Sequence, residues 1–290
     1  MFRINFIRCL TAFISAGCLF IILILILIGL LSKKVIESNP LLSDTTLITQ
    51  GSHVKPQPKQ KLMVVGLISD TESDFENTQK ALDYFKKAKV DMVIHLGDMT
   101  SLGVEEDFKR FYDLFKDSGL EFYSVPGDRD LWKSHGMSNF QKFFGDGFNV
   151  IKYDNVKLLL INNADEYSKI DNNQWQFISN NIKDSDFVFF HNPIFNNKSF
   201  ILGSKGMGDY DLEVDEQRKE LLKLVRSNKV LSTFAGDQHV FSESVDTEKP
   251  SLNHYVIGSA NSKRAIGHPS FSLLTIYIDK DYYVQKLSIN

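Results

Sequence analysis

Cysteine is nearly missing from this chain. Its 290 residues hold two, Cys9 and Cys18, both in or beside an apolar N-terminal stretch. The rest therefore has no disulfide framework, no zinc-finger spacing and no thiol nucleophile. A surplus of basic charge is missing too. The formal net charge of -3 provides no general field for nucleic acid, and no nucleic-acid partner is expected. Neither a Gly-x-Ser-x-Gly turn nor a Gly-x-x-x-x-Gly-Lys stretch occurs, which removes the serine-hydrolase and nucleotide-loop readings. No repeat of fixed period and no low-complexity tract is present. What remains is a composition of 43% hydrophobic and 24% charged residues, that of a chain with a packed core.

One uncharged run stands out. After an N-terminal flank (1–9), residues 10–31 carry no charge, and Leu19 to Ile28 is almost purely aliphatic. A helix of about 20 residues crosses a hydrocarbon layer of roughly 30 Å, whereas a cleaved signal has an apolar region of only about 7–15 residues and an Ala-x-Ala-like site. The run predicts one transmembrane anchor and a single-pass membrane protein. Arg3, Arg8 and the terminal amine precede it, while Lys33 and Lys34 follow with Glu37 close by. That balance favours an extracytoplasmic domain. Residues 32–60 are polar, contain Pro40, Pro56 and Pro58, and read as a tether. Residues 61–290 form the globular domain.

Within that domain, apolar runs alternate with segments of helical period. Helices are expected over Asp74–Lys89, Val104–Asp117, Ser138–Phe144, Asn172–Ile182 and Val214–Ser227. A βαβαβ start followed by hairpins over 149–161 and 272–287 predicts an α/β architecture with a mixed sheet or two packed sheets. Five of the strand-like runs end in acidic or imidazole side chains. They deliver Asp70 and Glu72, then Asp98 after Gly97, Asp128 after Gly127, His191, and Asp237 and His239 after Gly236. A strand of a parallel sheet presents polar groups to a crevice at its carboxyl end. A single Gly-Asp at such a place is a turn; seven ligand-type residues at five strand ends make a site. Imidazole mixed with carboxylate suits first-row divalent ions, and two such ions about 3.5–4 Å apart form a clamp for hydrolysing phosphate esters.

The order resembles the calcineurin-like metallophosphoesterases, whose pattern runs Asp-x-His, Gly-Asp, Gly-Asn-His-Asp or Glu, His, then Gly-His-x-His. The resemblance spans residues 61–290 and implies a four-layer α/β/β/α sandwich of mixed sheets, here preceded by one transmembrane helix. It also implies a two-metal site. Asp70, Glu72, Asp98 and His239 would hold one ion, and Asp98, Asp128, His191 and Asp237 the other, with Asp98 as the bridge. Several letters differ. Glu72 and Asp237 stand where the pattern has His, Asp128 where it has Asn, and Arg129 where it has the proton-donating His. Each replaced ligand is still a ligand.

The resemblance implies a membrane-anchored, metal-dependent phosphoesterase, hydrolysing a phosphate mono- or diester or a pyrophosphate by attack of a metal-activated water. Its substrate would be a phosphorylated small molecule or lipid. Five carboxylates against two divalent ions leave the shell one charge negative, which argues for harder ions, Mn, Mg or Fe over Zn. Arg129 can hold phosphate oxygens in its fork but is too weak an acid to protonate a leaving group. Asp130 is expected at the catalytic site beside it, orienting Arg129 or capping the next segment. Loss of the acid also supports an alternative, a catalytically silent binding or scaffold module that keeps metal binding. His95 is expected in the core, Asn163 in a turn, and Gly258 to Asn261 along the cleft.

Overall fold

The structure, a computed structural model, describes residues 59–195 and 206–289. The predicted membrane span and most of the tether lie outside the described residues. Among the described residues, no helix is long and apolar enough to cross a membrane.

Among the described residues, eleven strands and five α-helices follow one another along the domain. Strands β1 (Lys61–Ile68), β2 (Met92–Leu96) and β3 (Phe122–Val125) are joined by α1 (Phe75–Ala88) and α2 (Glu105–Ser118). Next come α3 (Ser138–Phe144), β4 (Asn149–Tyr153), β5 (Val156–Leu160), α4 (Asn172–Asn181), β6 (Phe187–Phe189), α5 (Leu212–Ser227) and β7 (Ser232–Ala235). Strands β8 (Phe241–Val245), β9 (Asn253–Ile257), β10 (Ser270–Tyr277) and β11 (Tyr282–Ser288) close the chain. They form two mixed sheets, ordered β11-β10-β1-β2-β3 and β4-β5-β6-β7-β9-β8. In the first, β1, β2 and β3 are parallel, β10 runs against β1, and β11 runs against β10 at the edge. In the second, β5, β6, β7 and β9 are parallel between antiparallel edges.

The two-residue alternation of side chains builds the layers. Val65, Leu67, Ile94 and Leu96 from the first sheet meet Leu158, Leu160, Phe189 and Phe234 from the second in one buried cluster. The intervening residues face outward. Ile68 and Val93 pack under Leu82, Phe85, Phe108 and Phe111 of α1 and α2, and Leu159 and Val188 under Ile178, Leu221 and Val225 of α4 and α5. Because the central strands are buried on both faces, they read as continuous apolar runs in the sequence. Helix ends follow their local chemistry. Asp74, Asp171 and Asp211 cap α1, α4 and α5 by accepting backbone N–H bonds, and α2 stops where Gly119 takes φ 71°. Strand β8 was not anticipated: Phe-Ser-Glu-Ser-Val lies at a sheet edge, and its half-exposed alternation reads like a polar loop.

His95, on the outward face of β2, is fully buried beside Phe115. The Thr71 hydroxyl donates to the Met99 carbonyl, so the His95 Nε2–H donates to Thr71 Oγ1 at 3.0 Å and Nδ1 is left bare. Protonating Nδ1 would bury an unpaired cation, and burial pushes this imidazole down to about 3. The folded value lies below the unfolded one, so this contribution is complete above pH 6.5 and declines as the pH falls toward 3. Urea unfolding of wild type should lose about 1.4 kcal/mol per pH unit in that window relative to His95→Gln. Parallel pH profiles for the two proteins would contradict this assignment.

Candidate metal centre

Five loops converge at the carboxyl ends of β1, β2, β3, β6 and β7. The first two run side by side, with Asp70 N donating to Gly97 O, Glu72 N to Asp98 O and Ser73 N to Met99 O at 2.9–3.0 Å. This pairing continues beyond the strands only because the backbone turns left-handed. Asp70, Glu72, Asp98, Asp237 and His239 all have positive φ, between 40° and 65°. Asp and His adopt this conformation more often than most residues, but Glu does not share that advantage. Such strain concentrates where surrounding structure imposes it.

Two glycines let the loops close. Gly97 has φ +90°, and a Cβ there would lie 2.5 Å from His191 Nδ1. A Cβ on Gly127 would lie 2.1 Å from the backbone nitrogen of Asp98. Gly127→Ala should therefore destabilise the domain by about 1–3 kcal/mol through overpacking. Thermal unfolding would measure it, and an unchanged midpoint would contradict the close approach.

Five of the seven sequence-predicted ligands fall in two groups that share one residue, and Glu72 and Asp237 belong to neither group. Asp70, Asp98 and His239 place ligand atoms within 4.8 Å of one another, and so do Asp98, Asp128 and His191. Asp98 is buried; its Oδ1 accepts the Arg129 backbone N–H at 3.0 Å and lies 3.5 Å from His191 Nε2. His191 is oriented from behind, since Nδ1–H donates to the Leu96 carbonyl at 2.7 Å. That bond leaves Nε2 facing Asp98 and Asp128, buried and without a hydrogen bond. The Asp237 Oδ2 is buried and unbonded as well, while the Asp237 N–H donates to Asp70. His239 Nε2 stands 3.4 Å from Asp70 and 3.3 Å from Glu72. Two orphaned, buried donor atoms among carboxylates fit a divalent cation better than they fit a plain polar core.

The protonation pattern agrees with that fit. Burial pushes Asp98 well above the carboxylate range, as do Asp128 and Asp70 beside it. Burial together with Asp70 and Asp128 brings Asp237 to about 6. Burial alone would depress the His191 and His239 imidazoles, yet the carboxylates prevail, lifting His191 well above its usual value and His239 to about 9. Without cations, protons hold this cluster of acids together, and a cation would displace them.

Residues 63–278 match the calcineurin-like phosphoesterase superfamily domain. The chain belongs to this superfamily. Its members are metal-dependent phosphoesterases that bind divalent ions through Asp and His side chains. Among curated protein sequences, none matches the chain. Solved structures do. A dimetal phosphatase from Danio rerio superposes with a TM-score of 0.60 at 13% identity, covering 79% of this chain and 97% of its own. A purple acid phosphatase from yellow lupin (Lupinus luteus) seeds gives 0.56 at 14% identity over 80% of this chain and 52% of its own. The protein TT1561 of Thermus thermophilus gives 0.50 at 11% identity, over 77% and 98%. At these identities the likeness concerns the fold.

Around this calcineurin-like centre stand the two residues expected at the catalytic site, Asp130 and Arg129, and Asp130 neither orients Arg129 nor caps the next segment. Asp130 is fully buried and turned away from the ligand groups. Its carboxylate accepts from the N–H groups of Met99, Thr100 and Gly127 and from the Thr100 hydroxyl, stapling the β2 and β3 loops together. Arg129, on the 3₁₀ turn Arg129–Leu131, keeps Nε 3.4 Å from Asp98 and 3.5 Å from Glu72, with its guanidinium over Trp132. Asn163 is more than a turn residue, because its side-chain oxygen accepts from the N–H groups of both His191 and Asn192 and so fixes the His191 loop. The segment after β9 supports the first loop, with Ser259 Oγ donating to Asp70 O and Asn261 Nδ2 to Thr71 O. From the same segment Arg264 Nε donates to Glu72 Oε1 at 3.1 Å. Nothing in the sequence marked Arg264, which lies in a polar loop of ordinary turn composition.

Proposed function

We propose that residues 61–290 form a phosphoesterase working with two divalent ions bridged by Asp98, and that residues 10–31 tether it to a membrane with the domain on the extracytoplasmic side. The carrying observation is the Asp98 carboxylate, common to both ligand groups, with the bare nitrogen of His191 beside it. Asp70, Glu72 and His239 would complete one side, Asp128, His191 and Asp237 the other. Bound there, the ions would act as Lewis acids toward phosphoryl oxygens and acidify the attacking water. The chain's own part is positional. Leu96 O holds His191 in the tautomer that leaves Nε2 free, and Asp130 locks the loop carrying Asp98 to the one carrying Asp128. Arg129 offers a planar cation to phosphate oxygens, and the substrate would be a phosphorylated small molecule or lipid. The carboxylate-rich shell favours Mn, Mg or Fe over Zn.

The test uses full-length protein exposed to each metal in turn, with bound ions counted by elemental analysis and turnover measured on aryl phosphate mono- and diesters. Two harder ions per chain with turnover are expected; zinc at full stoichiometry with the others absent would overturn the metal preference. A second reading is a silent module, favoured by the placement of Arg129 Nε against Asp98 and Glu72, where it offsets charge that cations would otherwise meet. An intact fold with no turnover in any metal would select it.

A further inference from the structure

On the Glu72 side of the metal centre the surface opens into a cleft of about 490 Å³. Its walls carry three cations, Arg110, Lys263 and Arg264. Arg110 lies over Phe75, its guanidinium carbon 3.7 Å from the ring centroid. Lys263 and Arg264 are set by Asn261, whose side-chain oxygen accepts both of their backbone N–H groups at 2.8 and 3.0 Å. The acids of the cleft are already engaged. Asp74 accepts from Asn77 N and Ser262 N, and Glu76 pairs with Lys80. Among the described residues, neither Arg110 nor Lys263 makes an ion pair. Glu72 lies between two guanidiniums, with Arg264 Nε at one carboxylate oxygen and Arg129 Nε 3.5 Å from the other. One carboxylate thus joins the cleft to the metal centre.

We infer that this cleft receives a second phosphoryl group, the leaving group of a phosphoanhydride, so that the substrate is a pyrophosphate-linked compound. This rests on the phosphoesterase reading above. Two independent features converge on it. Arg129 stands in the proton donor's place and cannot protonate an alkoxide, whereas a departing phosphate needs no proton from the protein. A departing phosphate does need cations to receive its charge, and guanidinium forks with an ammonium suit its several oxygens better than the two of a carboxylate. In the step, water oxygen bonds to the attacked phosphorus and the bond from that phosphorus to the bridging oxygen breaks. The electron pair leaves with the second phosphate toward Arg264, Lys263 and Arg110, and one proton passes to solvent.

The test measures affinity of metal-loaded, full-length protein for methylenediphosphonate, methylphosphonate and phosphonoacetate. Wild type should prefer the diphosphonate over the monophosphonate by at least about ten-fold, the scale of one charge-assisted hydrogen bond. In the double variant Lys263→Gln, Arg264→Gln that preference should fall by about ten-fold relative to wild type. Lys223→Gln, on the exposed face of α5 away from the cleft, should keep it. Chelation of the ions by the diphosphonate is common to all three proteins and cancels in the comparison. No preference in wild type, or an equal preference in the double variant, would overturn the inference. Phosphonoacetate binding as tightly as the diphosphonate would overturn the assignment to phosphate. A variant-sensitive preference in a protein that hydrolyses nothing would retain the anion subsite and reject the phosphoesterase reading instead.

Discussion

Asp98→Asn is expected to remove bound metal from both halves of the centre and to reduce hydrolysis by about 10³-fold, the scale of losing a charge-stabilising group at the reacting centre. The amide is the same size, tolerates the positive φ of 52°, and can still accept the Arg129 backbone N–H. The fold should therefore survive. The metal-free variant should even match or exceed metal-free wild type in stability, because Asp98 is a buried acid among buried acids and the amide relieves that repulsion. Divalent ions, which bind only the folded chain, should raise the unfolding midpoint of wild type and leave that of the variant nearly unmoved. Asp128→Asn provides the contrast. Asp128 belongs to only one ligand group, so its loss should leave the Asp70, Asp98 and His239 group able to hold an ion. Equal metal content in Asp98→Asn and wild type would remove Asp98 as the bridge.

Arg129→His is expected to act in the opposite direction. An imidazole at the cleft end of β3 can give up a proton near neutral pH, which a guanidinium cannot. Rates on alkyl phosphates, whose leaving groups require protonation, should rise by about 10²-fold or more, while activated aryl esters gain little. The signature is a flatter dependence of rate on leaving-group pKa, with a new limb in the pH profile. Removing the guanidinium also frees Glu72 and Asp98 from its Nε, so metal affinity should increase alongside. A uniform change across all leaving groups would mean that Arg129 acts on phosphate binding alone.

The strand ends that carry the candidate centre were legible in the sequence and its surroundings were not, for a physical reason. Parallel strands buried on both faces appear as unbroken apolar runs, so β1, β2, β3, β6 and β7 and the polar groups at their ends were legible. Both ligand groups drew on those ends. What escaped depends on distant segments meeting. Asp130 adjoins Arg129 in sequence, but the 3₁₀ turn sends the two side chains in different directions, one into the loop staple and one toward the acids. Arg264 reaches Glu72 because the β9–β10 connection folds back over the β1 loop, a contact between residues far apart in sequence. Asn163 looks like any Asn after a strand until the His191 loop is laid upon it.

The left-handed loops explain how so many letters of the pattern can differ. Their course is set by main-chain bonds, such as Asp70 N to Gly97 O and Glu72 N to Asp98 O, which do not depend on side-chain identity. The side chain at each position only has to end in a donor atom at the right reach. Imidazole and carboxylate would then be interchangeable there, and Glu72 and Asp237 are the positions at which metal counting would test it. Metal preference and net charge can then be retuned one residue at a time, without rebuilding the framework that aims the donors.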